Sequence, residues 1–558
     1  MRFLSIAALA LVGAVMTGCS SEDNFTAQPQ QQVADKGNVV TVTATVGLDG
    51  AAATRALTST GVKTFAEGDQ IAVIYENASG TMVKVETTAL TDADISADGK
   101  SATFTVTLTG PKASGTVKYI YPAAMAGATD VDYTKLNSQD GTLTNLGKNL
   151  DLAVFNGNLT AEAKLPASAT LENKLAILAL TIKDNATTPN DLTSSITSLK
   201  ITDGTNTYNV TRSAVAGPIY VAIKPTSSAA IGVSASDGTN NYCKSLSGKS
   251  YAADNGYSVS WKMDKGACLA FLSGDIYEAK DGETLTGALA ADATTNIKIA
   301  NGATVTLKDV TINGTNVDDD AHKHAGITCV GNATIILEGT NSVKGFEQDY
   351  PGIYVPVDKT LTIDGTGSLT ASSNGYGAGI GGGNAISCGN IEIKGGEITA
   401  YGGSSWSGSA GIGGGGDASC GNITISGGTV TANGGDYGAG IGCGYSYSGL
   451  DTRCGDILIS GGTVTATGGV EAAGIGGGSN AGFDTFCGTI TINNTVTKLT
   501  ATKGSGARNS IGPAGVDEYV EYCGKITIGG TVYWDYGTYV GDDDTYLATS
   551  PLTYPAAP

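Results

Sequence analysis

Charge, aromatic rings and histidine are all scarce in this 558-residue chain: 15 % of residues are charged, 6 % are aromatic and two are histidine. So thin a supply of histidine leaves little room for a multi-histidine metal centre. A basic excess is missing too. With 32 Lys and Arg against 52 Asp and Glu the net charge is -20. That excludes nucleic acid as a partner, because its phosphates need a basic face. Amphipathic repeats of helical period are scarce, so the chain does not belong to a helical class. After the first twenty residues no apolar run is long enough to span a membrane as a helix. In place of these features there is glycine, 81 residues of it, about twice the usual share. Threonine is abundant as well. This mixture predicts β structure with many tight turns.

The N-terminus reads as an export signal. "MRFLSIAALALVGAVMTGCSSEDN" has one Arg, a short apolar run and small residues before Cys19. "MTGC" resembles a bacterial lipobox, which implies cleavage before Cys19 and lipidation of its thiol. "SSEDN" resembles the surface-export tag of Bacteroidetes lipoproteins. Residues 1–18 are then a signal peptide and 19–37 a polar tether. The expected location is the cell surface, with the outer membrane engaged through the acyl anchor. Nine further cysteines remain in a compartment that permits disulfides.

From residue 38 the text alternates with period two: "VVTVTATVGL", "SATFTVTLTGPKASGTVKYIYP", then "KLAILALTIKD" and "PIYVAIKP". Turn residues bound each run, which predicts two β-sandwich domains, 38–155 and 156–265. Five stretches in order resemble the fimbrillin family of Bacteroidetes pilins and lipoproteins. They are "ATRAL" at Ala53–Leu57, "FAEGDQIAVI" at Phe65–Ile74, "YIYPA" at Tyr119–Ala123, "PIYVAIKP" at Pro218–Pro225 and "GKSYAADNGYSVSWKM" at Gly248–Met263. The resemblance implies proteolytic processing after Arg55, and assembly with other pilus subunits by strand donation. Because nearly 300 residues follow the second domain, a tip or accessory subunit is expected rather than a stalk subunit.

Residues 266–558 are a repeat. "GNIEIKGGEITAYGG" at Gly389 aligns with "GNITISGGTVTANGG" at Gly421 and "GDILISGGTVTATGG" at Gly455. "GAGIGGG" at Gly377 aligns with "SAGIGGG" at Ser409, "GAGIGCG" at Gly438 and "AAGIGGG" at Ala472. Apolar pairs recur every 26 to 36 residues, from Val305/Leu307 to Ile526/Ile528, and a second column runs from Ile327 to Ile511. Three short strands per unit predict a right-handed parallel β-helix of about eight rungs, so the fold class is all-β. On "GATVTLKDVTING" at Gly302–Gly314, "AGITCVGNATIILEGTNSVKG" at Ala325–Gly345 and "LTIDGTGSLTA" at Leu361–Ala371, the domain resembles the pectate-lyase-like superfamily in fold, and more closely the β-helical carbohydrate-binding domains of gut and cellulolytic bacteria. Gly377-x-Gly379-x-x-Gly382 has dinucleotide-loop spacing, but no helix pattern follows it and it recurs, so it belongs to the repeat. Cys388, Cys420, Cys454, Cys487 and Cys523 each precede the Gly that opens a rung. A row of this kind suits a buried thiol stack; disulfides within it, or between Cys243 and Cys268, stay open.

Two sets of residues are candidates for chemistry. Loop aromatics, with one arginine, form a carbohydrate-binding set: Tyr376, Tyr401, Trp406, Tyr437, Tyr445, Tyr447, Arg453 and Phe483, with Phe486 and Tyr522 in the same closing loops. Aromatic faces take the C–H faces of sugars, while polar groups hold the hydroxyls. "NVDDDAHKHAG" forms a metal set of Asp318, Asp319, Asp320, His322 and His324. Its carboxylates suit Ca²⁺ and its histidines a transition metal, against the alternative of a solvated acidic loop. No catalytic residue or other cofactor is assigned. The expected function is adhesion to glycans or host surfaces. A surface polysaccharide lyase or hydrolase, and a purely structural pilus accessory, are the alternatives.

Overall fold

The computed structural model describes residues 39–48, 64–290, 293–404, 408–447, 452–479, 485–515, 522–536, 538–540 and 545–555. The signal and tether, Cys19, Arg55, Trp406 and Phe483 lie outside these residues. Among the described residues no helix is long and apolar enough to cross a membrane. The fold is nearly all β.

The first domain is a seven-stranded sheet in the order Met82–Glu86, Ala72–Glu76, Thr116–Tyr121, Ala153–Asn158, Ser168–Asn173, Val39–Leu48, Ser101–Thr109. Alternation decides which side chains go inward. Val42, Ala44 and Val46 are buried. The threonines between them point outward, and Thr43 and Thr45 hydrogen-bond across to Thr105 and Thr103 at 2.8 and 2.9 Å. The sheet runs past residue 155 to Asn173, because Val46 and Leu48 take Ala169 and Leu171 as parallel neighbours. Both faces of its centre are covered. Val73, Tyr75, Tyr119 and Tyr121 fill the first core. Ala72, Ile74 and Ile120 join the core of the second domain. Burial on both sides explains why "IAVIY" reads as a continuous apolar run rather than an alternating one.

In the second domain Ala176–Asp184 lies between Ile219–Ile223, antiparallel, and Asn255–Met263, parallel. The strand Asn255–Cys268 does not stop there. Its last residues, Gly266–Cys268, pair in parallel with Thr284–Thr286 and start the third domain. Gly266 has φ +144°, and a Cβ on it would lie 1.9 Å from the Thr284 carbonyl oxygen, so only glycine passes this junction.

The third domain is a right-handed parallel β-helix. Its first side stacks Val305, Ile335, Ile363, Ile393, Ile425, Ile459, Ile492 and Ile528 in direct register; Ile335 takes Ile363 and not Leu361 as its neighbour, so the column read from the sequence slips by two residues at that rung. The second side stacks Leu369, Ile398, Val430, Val464 and Leu499. The third stacks Ile327, Ile353, Ile380, Ile412, Ile441, Ile475 and Ile511. All three columns meet in one core. A less regular rung precedes them: Ile276–Ala279 pairs with Asn296–Ile299, and Thr284–Ala288 with Ala303–Asn313. At the far end Thr531–Asp535 folds back antiparallel on Ile526–Ile528, and the buried Trp534 indole N–H donates to the Cys523 carbonyl at 3.2 Å.

From Ile380 onward, the glycine after each third-side isoleucine is part of the stacking. Gly413 has φ +135°, and a Cβ there would lie 2.0 Å from the Gly442 carbonyl oxygen. Gly413→Ala is expected to lose at least about 1–3 kcal/mol in guanidinium unfolding, from strain and from parting of the rungs. Thr431→Ala, on the outer face, should stay within about 0.5 kcal/mol of the parent.

Candidate functional site

The loops that close the last rungs carry a continuous outward row. Before each cysteine of the stack stands one outward residue: Ser387, Ser419, Arg453, Phe486 and Tyr522. Ser419 N donates to Ser387 Oγ at 3.1 Å and Arg453 N to Ser419 Oγ at 3.0 Å. Arg453, Phe486 and Tyr522 are then direct register neighbours. The Arg453 guanidinium lies 3.9 Å from the Phe486 ring centroid. The Phe486 and Tyr522 rings stack at 5.3 Å with 4° between their planes. This is the cation–π and offset-stacking geometry expected when flat groups repeat at the strand spacing. An open groove of about 400 Å³ runs along the row, with Asp456, Thr489 and Tyr536 on its walls. Tyr522 is 46 % exposed and Tyr536 74 %, so both rings offer faces to solvent.

A second aromatic group sits where two kinds of loop meet. Tyr437 comes from the loop between second and third sides, and Tyr445 and Tyr447 from the loop that closes the rung. Tyr437 and Tyr445 are 5.0 Å apart, and Tyr445 and Tyr447 stack at 6.0 Å with 9° between planes. Asp417 pins them in place: its N–H donates to the Tyr445 carbonyl at 2.8 Å, and Tyr447 N donates to its Oδ1 at 2.7 Å. Asp417 has φ +52°, a conformation that Asp tolerates better than most residues. Glu471 accepts from Ser479 Oγ at 3.0 Å nearby. Burial raises the Tyr445 hydroxyl pKa, and Tyr437, Glu471 and Asp417 add to it, so this phenol stays a neutral donor.

The expected carbohydrate set is therefore only partly gathered. Tyr437, Tyr445 and Tyr447 come together, and Arg453 joins Phe486 and Tyr522. Tyr376 lies one loop away, its carbonyl accepting from Gly416 N at 3.0 Å. Tyr401 is not a loop residue. The second-side strand runs through it, and it stands 46 % exposed on the outer face, level with Ser372 and Asn433. Asp417, Glu471 and Asp456 had no signal as single residues. The row through Phe486 and Tyr522 did have one: the residue before each cysteine changes from Ser to Arg, Phe and Tyr.

The acidic loop is arranged by internal pairing. Asp319 Oδ1 lies 2.7 Å from His322 Nδ1, and Asp320 pairs with Lys323 at 2.8 Å. The His322 contact, then burial, then the loop N–H groups set the Asp319 carboxyl, with a net shift below its usual range. Among the described residues no group of three or more His, Cys, Asp or Glu is placed to hold a metal ion.

All nine described cysteines are buried and outside any disulfide. Cys420, Cys454, Cys487 and Cys523 are register neighbours in sequence, and Cys454 hydrogen-bonds the thiols of Cys420, Cys443 and Cys487. The Cys243–Cys268 disulfide left open by the sequence is not formed. Burial pushes the Cys268 thiol up to about 11 and Cys329 up to about 12.

Comparison with known proteins adds the following. A family model described as a β-helix repeat matches residues 361–384, 391–416, 423–445 and 457–479. Among solved structures the chain is similar to a fimbrial assembly protein from Parabacteroides distasonis, at 12 % identity and a TM-score of 0.23, over 40 % of this chain and 91 % of that one. It is also similar to the tip fimbrial protein Mfa3 from Porphyromonas gingivalis with C-terminal truncation, at 11 % identity and a TM-score of 0.19, over 40 % of this chain and 95 % of that one. These likenesses fall on the N-terminal part. No curated protein matches the chain.

Thiolate is the reactive form of cysteine, but a reagent must also reach it; hydrogen bonds from neighbouring thiols lower the Cys420 and Cys487 pKa, so inertness of all nine is predicted from burial. Ellman's reagent at pH 8 is expected to label none of these nine cysteines in the folded protein and all nine in guanidinium. Fewer than nine in the unfolded, unreduced chain would reveal disulfides between rungs.

Proposed function

We propose that the chain is a fimbrillin-like cell-surface adhesin whose β-helix binds carbohydrate through the aromatic rows of its closing loops, at a tip or accessory position of a pilus. The observation that carries this reading is the row Arg453–Phe486–Tyr522 along its groove. Flat rings at strand spacing match the repeat of a sugar chain lying across the rungs. Guanidinium and carboxylate groups beside them supply hydrogen bonds to hydroxyls. The group Tyr437, Tyr445 and Tyr447, with Asp417 and Glu471 beside it, offers the same combination one loop earlier. The order of fimbrillin-like motifs in the first two domains supports a surface role. The β-helix then serves as a rigid spacer with a binding edge.

A glycan array probed with the full chain tests this. Binding to at least one glycan class is expected. Phe486→Ala and Tyr445→Ala should each weaken it by about 10- to 30-fold, the loss typical of a stacked aromatic anchor. Thr431→Ala should leave it unchanged. Absence of binding to every glycan, or binding indifferent to both aromatic substitutions, rejects the reading.

A further inference from the structure

The row Arg453, Phe486 and Tyr522 ends at Tyr522 because the chain folds back there. Its residues lie in a three-stranded sheet with Thr452–Cys454 at one edge and Tyr522–Cys523 at the other. The last first-side strand, Ile526–Ile528, pairs with Ile490–Ile492 on one edge and with Thr531–Asp535 on the other. A further rung would need that second edge. The chain then reverses at once: Asp535 pairs with Thr538, and only Tyr536 and Gly537 connect them. The Trp534 indole N–H ties this hairpin to the Cys523 carbonyl at 3.2 Å, one residue beyond Tyr522. Toward the earlier rungs the row continues instead in the small side chains of Ser419 and Ser387.

Tyr536 is an unexpected residue for its place. Two-residue hairpin connections favour Asn-Gly or Asp-Gly, because the first residue takes a positive φ. Tyr536 has φ +42°, a left-handed conformation that costs a bulky side chain more than it costs Asn. Packing returns little of that cost, since the residue is 74 % exposed. Its place is on the wall of the groove that Phe486, Tyr522, Asp456 and Thr489 also line. A strained, exposed ring at the closed end of a ring-lined groove points to contact with a ligand.

Resting on the carbohydrate reading above, we infer that this groove takes the terminal sugar of a glycan chain and not an internal stretch, with Tyr536 as the end stop. Sugars lying along the row stack on Phe486 and Tyr522, and the hairpin bars the next sugar from continuing past them. A terminal sugar presents a hydroxyl at that point. An internal sugar carries the next residue there, which meets the hairpin. Phe486 thus anchors the chain, and Tyr536 selects which part of it binds.

The test titrates linear oligosaccharides of the class that the array identifies, four and twenty residues long, into the full chain and its Tyr445→Ala variant, in which the other aromatic group is weakened. One copy of the protein per oligosaccharide is expected at both lengths. Two or more copies on the longer oligosaccharide in the Tyr445→Ala variant would mean internal binding and overturn the inference. Tyr536→Asn suits the turn better than Tyr, so its thermal unfolding midpoint should rise above that of the parent while its affinity falls about tenfold. An unchanged affinity, or a midpoint that falls, would also overturn it. Absence of any glycan binding removes the carbohydrate reading and this inference together. Binding lost in Phe486→Ala but kept in Tyr536→Asn rejects the end stop alone.

Discussion

Everything in the C-terminal half follows from one constraint: a strand of two or three residues can hide its apolar side only if the next rung covers it about 4.8 Å away. Isoleucine columns on three sides satisfy that demand. So does the alanine column Ala371, Ala400, Ala432, Ala466 and Ala501, which stacks in register on the second side. The turns obey the same spacing. Asn301 Oδ1 accepts from Asn332 N at 3.0 Å, Asn390 Oδ1 from Asn422 N at 2.8 Å, and Asn422 Oδ1 from Asp456 N at 2.8 Å. Each turn thus lends an acceptor to the next and fixes the register that the columns need. The thiol stack is the same device at another corner.

A scaffold so constrained leaves little freedom on its sides, and variation moves to the loops. Two closing loops, ending at Cys388 and Cys420, are eight residues long from their first glycine, and the three that follow are longer. The aromatic and charged residues arrive with that extra length. Because the rungs stack in register, any ring placed before a cysteine stacks on its counterpart without further design. The row from Arg453 to Tyr522 is thus a by-product of the fold that a ligand can exploit. The second sandwich domain holds this assembly directly, since Asn255–Cys268 belongs to both domains and leaves no linker between them.

The repeat made the β-helix legible in the sequence, and its third column residue by residue, because a period of about thirty residues with inward isoleucines admits few other folds; the first column slipped by two residues where Ile335 pairs with Ile363. The N-terminal sandwiches were legible as alternation. Their extent was less so: Ala169 and Leu171 return to pair with Val46 and Leu48 across more than a hundred residues, which no local pattern announces. The site was harder still. Tyr401 looked like a loop residue because glycines follow it, yet the strand includes it. Phe486 and Tyr522 stand 36 residues apart, and only the register makes them a stack. Asp417 and Glu471 were invisible, since a carboxylate acquires a role only from what the loops place beside it. In the acidic loop, too, only the fold shows the pairing: Asp319 turns to His322 and Asp320 to Lys323.

The central claim is that the rungs hold the fold and the closing loops hold the function. The most direct measurement replaces Gly442–Cys454 with the eight-residue sequence of Gly381–Cys388, then compares guanidinium unfolding and glycan binding with the parent chain. Both loops begin at the third-side glycine and end in the thiol stack. The account predicts an unfolding midpoint close to that of the parent, with glycan binding lost. Binding that survives the exchange in a folded chain would contradict it.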